Sequence, residues 1–380
     1  MIVNHITLKN WRNFQSADVN MSNRVFLVGP TASGKSNFLD VFRFLWDIAK
    51  PGGSLQKAIS DRGGIPKIRS LTSRGSPSVE IEVSIAETDT NETLWRYAIG
   101  ITQNDYGNPY LAHELVWKKH KQILNRPDDN DIKDKLRMTQ THLEQVGLNQ
   151  PFREISEFFN SIRYLHLIPQ LIRYPAAFSG PGIPDDPYGQ NFLERVSKTP
   201  KETRKLRLKK IEEALHIAVP QLKHLTETTD ESGTPHLEAI YEHWKQKGAM
   251  QREDQFSDGT LRLIGLLWAL LDEDSLLLLE EPELSLNIGI INKLPALIHR
   301  LRRQKGQVIL STHSADLLLD KGIGGEEVLL LSPGHDGTVV RVASTIREIR
   351  ALLEGGLSIA DAVLLPEIVP QDIHELGLLK

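Results

Sequence analysis

Gly29-Pro30-Thr31-Ala32-Ser33-Gly34-Lys35-Ser36 sets two glycines, a lysine and a hydroxyl at the spacing G-x-x-x-x-G-K-[ST], that of a loop wrapped around a nucleotide triphosphate. The residue types follow from that task. Glycines let backbone N–H groups turn inward onto phosphate oxygens, and a helix starting behind them aims its positive end at the same anion. Lys35 is expected to reach the β- and γ-phosphates, and the Ser36 hydroxyl to ligate Mg2+. Such a motif counts only between a strand and a helix. Arg24-Val25-Phe26-Leu27-Val28 before it is apolar and β-prone, and Asn37 to Leu45 after it has helical spacing. A chance glycine-rich turn would give the match in about one chain in a hundred of this length, and the flanking elements lower those odds.

Three distant segments carry further chemistry. Leu276-Leu277-Leu278-Leu279-Glu280-Glu281 is an apolar run ending in two acids. Behind a phosphate loop, the first acid helps hold Mg2+ and the second orients or deprotonates the attacking water; standing alone, such a pair as often faces solvent. Phe256-Ser257-Asp258-Gly259-Thr260 precedes a helix that starts near Leu261. Ser257 suits an N-cap and Gly259 a close backbone approach, which makes an anion site or an ordinary helix cap. Val308 to Ser314 reads as a buried strand and a small polar turn carrying His313. A lone histidine is usually structural, but this one ends a strand at the sheet edge where α/β folds bind ligands.

The elements that must position these residues are legible in outline. The chain has 380 residues, 40% hydrophobic and 25% charged, enough for a large core with a lobe or for two domains. Its net charge of −4 is not that of a global nucleic-acid binder. The absence of cysteine excludes disulfides, zinc–thiolate sites and thiol catalysis. No signal pattern and no bilayer-length apolar run is present, so a soluble cytoplasmic protein without membrane contact is expected. Residues 1–28 read as two strands with Lys9 to Phe14 at the turn, and Ser78–Ile85, Thr93–Ile101 and Tyr110–Trp117 as an antiparallel meander. Residues 121–160 read as a helix-prone insertion, Ile162–Ile168 as a strand, Ser179–Gln190 as a mobile loop and the following charged stretch to about Gln251 as helical. Leu276–Leu279 and Gln307–Ser311, spaced by helices, indicate a parallel sheet.

The order phosphate loop, Ser-x-Gly segment, acid–acid strand, strand–His turn resembles that of ABC-type ATPases, and the sub-branch resembled is the SMC and RecF type. Its marks are Ile6 to Phe14, Gly34-Lys35-Ser36-Asn37, Ser257 to Arg262, Glu280-Glu281-Pro282-Glu283 and Ser311-Thr312-His313-Ser314, so residues 1–48 and 251–320 carry it and the middle resembles only in layout. Compact bacterial ATPases without long coiled coils are the most similar, and relatives such as the OLD-type nucleases work in phage defence.

The resemblance implies an α/β P-loop NTPase, an ABC-type head with a mixed β-sheet, an antiparallel β subdomain and a helical lobe. The head would comprise residues 1–170 and 251–345, the helical lobe 171–250 and a tail 346–380. Gly29, Pro30, Thr31, Ala32, Ser33, Gly34, Lys35, Ser36 and Asn37 would bind ATP. Ser36 and Glu280 would hold Mg2+, with Glu281 the catalytic base and His313 the switch histidine. Ser257 and Gly259 would touch the γ-phosphate bound by a second copy. Gln170 would sense Mg2+ and water, and Arg12 would lie near the phosphates. Three departures stand out: Thr31-Ala32 replaces the common Asn-Gly, Glu280 the usual Asp, and Asn287 an acid or His. One extra methylene moves the Glu280 carboxylate by roughly 1.5 Å. These changes leave nucleotide binding in place and point to slow hydrolysis.

The leading expectation is an ATPase that dimerises on ATP and switches an effector, a nuclease or toxin on another chain, in bacterial anti-phage defence. The tail after Leu331 offers no acidic cluster for a fused nuclease. A DNA-repair or chromosome clamp with DNA as direct ligand is supported by the basic clusters Lys198–Lys210 and Trp117–Lys121 and opposed by the net charge. An ATP-locked scaffold and a small-molecule kinase complete the alternatives; a kinase has no use for Ser257, Gly259 or His313.

Overall fold

In this computed structural model, the residues described are 1–71, 78–87, 92–104, 106–177, 186–242, 248–272, 276–303 and 306–363. Half-buried alternation in Ile2–Trp11 (β1) and Phe14–Asn20 (β2) marks strands with one face on the core. They open an antiparallel six-stranded sheet ordered β2-β1-β4-β5-β6-β7, in which Val79–Ala86 is β4, Thr93–Gln103 β5, Pro109–Lys118 β6 and Lys121–Arg126 β7. The centre of the other six-stranded sheet is built from runs buried on both faces, the signature of parallel strands. Its order is β15-β14-β3-β13-β12-β8: Gly337–Val342, Val328–Gly334, Arg24–Val28, Val308–Thr312, Leu277–Glu280 and Arg163–Leu165. All neighbours are parallel except the β14–β15 hairpin.

Alternation along the parallel strands divides the core in two. Val25, Leu27, Leu278 and Ile309 face the phosphate-loop helix Lys35–Ala49 and the antiparallel sheet, together with Phe38, Phe42 and Leu45 of that helix. Phe26, Val28, Leu277, Leu279 and Leu310 face the signature helix Asp258–Leu271 and the helix Leu294–Arg302. The C-terminal ends of β3, β12 and β13 therefore bring the phosphate loop, Glu280-Glu281 and His313 to one edge of one sheet. The mixed α/β architecture agrees with the expected fold class. No helix among the described residues is long and apolar enough to cross a membrane.

Several expected elements need correction. Residues 1–28 form three strands, because the chain crosses at Met21–Asn23 from the antiparallel sheet to the other one. The stretch from 121 begins with β7, which pairs with β6 across a turn at Lys119, φ 53°. The segment 171–250 is helical only in its first half. Phe192–Lys198 and Lys201–Ala218 are helices, but Leu222–Thr229 (β9), Pro235–Tyr241 (β10) and Ala249–Arg252 (β11) form an antiparallel sheet ordered β11-β10-β9. The threonines of β9 and the turn Asp230 to Gly233 override the helix-forming Lys and Glu content there. Of the expected loop Ser179–Gln190, residues 179–185 lie outside the described residues, and Asp186 to Gln190 form a turn.

His236 in this small sheet stands between Glu253 Oε1 at 2.7 Å and Asp230 Oδ2 at 3.3 Å. Burial disfavours the imidazolium, but the hydrogen bonds to both carboxylates outweigh it and hold the pKa above its ordinary value. The sign of the linkage follows. The bridge contributes in full below the unfolded value of about 6.5 and is lost as pH rises through the raised folded value. The urea midpoint of wild type relative to His236→Gln is expected to be highest below about pH 6.5 and to converge on alkalinisation; a difference that stays flat with pH would contradict this.

Candidate nucleotide site

Gly29 has no room for a side chain, since a Cβ there would lie 2.4 Å from Leu331 O. Gly34 has φ 97°, and its Cβ would lie 2.0 Å from Asn13 Nδ2. Ala32 has φ 64° and occupies a left-handed position where the resembled pattern has glycine, at a cost of about 1–2 kcal/mol. The phosphate-loop helix starts at Gly34 with no side-chain cap and no acid in its first turn. Its first N–H groups and its positive end are thus left for an anion, and Ser33 Oγ beside them is buried without a hydrogen-bond partner. Lys35, only 5% exposed, folds onto the loop and donates to Gly29 O at 2.9 Å and Pro30 O at 3.0 Å. Burial lowers its pKa to about 8, against the pull of Glu281, Glu280 and Glu283. The loop fits a triphosphate by each of these measures.

At the opposite wall, Ser36 Oγ donates to Glu280 Oε1. Tyr164 in β8 donates its hydroxyl to Glu280 Oε2; burial first, then the Glu280 carboxylate, hold that hydroxyl protonated well above its ordinary value. Oxygen donors on Ser36 and Glu280 suit a hard cation that keeps most of its waters. Among the described residues there is no cluster of three or more His, Asp or Glu that could hold a metal by itself.

Glu281 follows β12 with φ 45°, anchored by its N–H to Ser311 O at 3.1 Å. His313 Nε2 lies 3.2 Å from Glu281 Oε1, and Lys35 Nζ lies 3.4 Å from His313 Nδ1. Burial, then Lys35, lower the His313 pKa below its ordinary value. A neutral ring that accepts from the Lys35 ammonium at Nδ1 must carry its proton on Nε2, the nitrogen nearer the Glu281 carboxylate. Lys35, His313 and Glu281 therefore stand in one polar file, the first two hydrogen-bonded and the last two within ion-pair distance. Glu283 braces it from behind, accepting from Thr312 Oγ1 at 2.5 Å.

The remaining sequence candidates sit elsewhere. Ser257 caps the signature helix, accepting from Thr260 N at 3.2 Å, and its hydroxyl meets Thr260 Oγ1 at 2.8 Å. Gly259 lies against Ser285, where a Cβ would be 2.5 Å from the carbonyl oxygen. Gln170 Nε2 donates to Asp258 Oδ2 at 3.1 Å, beside Arg173, which binds Asp258 Oδ1 and Phe256 O, each at 2.7 Å. Gln170, expected to sense Mg2+ and water, is turned by the short helix Pro169–Arg173 to the signature segment. Arg12, also expected near the phosphates, pairs with Asp40 on the phosphate-loop helix at 2.6 Å. Asn287 caps the helix Ile288–Ile291 through Gly289 N, which accounts locally for that departure.

Asn13 escaped sequence reading. Its Nδ2 donates to Ser33 O at 3.0 Å and Thr338 Oγ1 at 2.7 Å, and its Oδ1 accepts from Asn37 Nδ2 at 2.7 Å. Thr338 adds a bond to Ser33 O at 2.8 Å. The β1–β2 turn and the β14–β15 hairpin thus fasten the phosphate loop from beneath. The only available signal was the asparagine next to Arg12 in the opening turn. Tyr164 had none.

The model of the family described as "AAA domain, putative AbiEii toxin, Type IV TA system" matches residues 24–320. No curated protein matches the chain. Among solved structures, the Smc head bound to the C-winged helix domain of ScpA is similar at 15% identity, over 90% of this chain and 97% of that one, with a TM-score of 0.53. The Smc head domain with an extended coiled coil bound to the C-terminal domain of ScpA, derived from Pyrococcus furiosus, is similar at 14% identity, over 93% of this chain and 99% of that one, with a TM-score of 0.50. At these identities the likeness is one of fold, that of an Smc head domain.

Proposed function

The chain belongs to the AAA-domain family of the AbiEii type, and from that premise we propose that it binds and hydrolyses ATP in the cytoplasm, two copies closing on the nucleotide to switch a separate effector. The file Lys35–His313–Glu281 beside the Ser36–Glu280 pair carries this reading. Lys35 exchanges the carbonyls of Gly29 and Pro30 for phosphate oxygens. Glu281 orients and deprotonates the attacking water, and His313 hydrogen-bonds the γ-phosphate and registers its loss. Mg2+ held by Ser36 and Glu280 would neutralise charge developing on the phosphoryl oxygens.

The partner copy supplies Ser257 and Gly259. Within one copy the signature segment contacts Gln170, Arg173 and Ser285 rather than the phosphate loop, which supports completion of each site by a second chain. ATP then acts as an adhesive whose hydrolysis lets the pair loosen. A toxin or nuclease on another chain is the effector we favour, in bacterial anti-phage defence. The family's toxin–antitoxin description and the ScpA domains bound to the similar Smc heads support a protein partner.

Lys35→Ala is expected to weaken ATP binding by about 10–100-fold, the loss of a charge-assisted contact. Isothermal calorimetry checks this, and unchanged affinity would overturn the assignment.

Direct binding of DNA is the second reading. Lys201, Lys205 and Lys209 are exposed at i, i+4, i+8 of one helix, whereas Arg204 and Arg207 are spent on Glu227 and Asp272. Stimulation of turnover by duplex DNA would favour it.

A further inference from the structure

Glu280 has its two carboxylate oxygens divided between two elements. Oε1 accepts from Ser36 on the phosphate-loop helix and Oε2 accepts from Tyr164 on β8. The register explains the reach. Tyr164 is paired with Leu278, so it shares a sheet face with Leu278 and with Glu280 two residues further on. Two residues of strand rise about 6.6 Å, close to the length of a tyrosine arm from Cα to hydroxyl. Phenylalanine would stop short.

The ring is gripped as well. The Arg43 guanidinium lies over it, 4.2 Å from its centroid. Arg43 stands seven residues after Ser36 on the same helix, hence on the same face. One helix face therefore holds the carboxylate by Ser36 and the back of the tyrosine by Arg43.

We propose that Tyr164 is a positioning residue for the divalent-cation site: it holds Glu280 in the rotamer that presents Oε1 beside Ser36, and so lets a glutamate serve where the resembled pattern carries a shorter acid. The proposal rests on the ATP and Mg2+ reading above. A free glutamate samples one more torsion than an aspartate and would present its oxygens to the cation only part of the time. The tyrosine removes that freedom from the β8 side, through Oε2, and leaves Oε1 to Ser36. Outer-shell partners of this kind are typically worth about 10–100-fold in metal affinity.

The test measures binding of a fluorescent ATP analogue (the N-methylanthraniloyl derivative) with excess Mg2+ and with EDTA, in wild type, Tyr164→Phe, Glu280→Ala and the double variant. The ratio of the two affinities is the metal-dependent gain, a readout independent of turnover. Tyr164→Phe keeps the ring beneath Arg43, so metal-free affinity should stay at the wild-type value while the gain falls about 10-fold or more. In the Glu280→Ala background the same change should have no further effect, because the group it positions is gone. A full gain in Tyr164→Phe overturns the proposal. So does an equal loss with and without metal, which would mark a merely structural role, or an undiminished effect in the Glu280→Ala background. A wild-type protein that binds the analogue without any metal-dependent gain would overturn the Mg2+ reading itself, and the clamp with it.

Discussion

Glu281→Gln is expected to lower ATP turnover by about 10²–10⁴-fold while leaving ATP affinity within about twofold, since the mutated group contributes to binding no more than a neutral contact. Glutamine is isosteric and keeps a carbonyl oxygen beside His313 Nε2, which lies 3.2 Å from the carboxylate. The left-handed backbone at Glu281, φ 45°, is anchored by its own N–H and does not depend on the side chain. The substitution therefore removes basicity and almost nothing else. With turnover blocked, ATP stays in place and two copies should remain closed. Light scattering coupled to gel filtration should find twice the monomer mass with saturating ATP and Mg2+, and monomer mass without them. Retained turnover would remove Glu281 from the role of base. A variant that binds ATP but stays monomeric would remove the two-copy site, and with it the part given to Ser257.

Legibility in the sequence tracked how local the physics is. The phosphate loop could be read because its glycines, Lys35 and Ser36 act through positions a few residues apart. The strand ends at Glu280 and His313 could be read because runs buried on both faces leave a clear apolar signature, and their parallel register then brings them together. Asn13 and Tyr164 could not. Their partners are 20 and 116 residues away, and their roles exist only once the sheets are stacked. Gln170 was harder to place for a related reason: the strand before it is the short Arg163–Leu165, and five residues of helix decide where the side chain points. In the lobe, the helix-forming composition of residues 222–252 was real but weak. Antiparallel pairing of β9, β10 and β11 on the helix Lys201–Ala218 overrode it.

Arg126→Leu should cost about 3–5 kcal/mol of stability, although Arg126 touches no part of the nucleotide site. Its side chain is 1% exposed, and its partners Glu114 and Asp131 are each 0% exposed. Its guanidinium donates to Glu114 at 2.9 Å, to both oxygens of Asp131, and to the carbonyls of Gln140 and Arg137. Glu114 also accepts from Tyr97 and from the backbone N–H groups of His142 and Leu143. One cation thus ties β6 and β7 to the segment whose Glu144 accepts from Leu55 N, at the start of the short helix Leu55–Ser60 that follows the phosphate-loop helix. Leucine would leave the Glu114 carboxylate in the core with no counter-charge and Asp131 with Arg137 alone. Burial already pushes the Glu114 carboxyl above its ordinary value with Arg126 alongside, so without the cation Glu114 should fold protonated. A carboxyl whose folded pKa is raised destabilises most at pH values above its unfolded pKa. The deficit, read from urea midpoints, should therefore be larger at pH 8 than at pH 5. Replacing Arg126, Glu114 and Asp131 together by apolar residues of similar volume should recover much of it, because an emptied network costs less than a broken one. A deficit under about 1 kcal/mol, no larger than that of an ordinary surface substitution, would mean that the segment 128–145 is held by its apolar contacts alone. ATP affinity per folded molecule should not change in any of these variants, since the site is built on the other sheet and fastened by Asn13 and Thr338.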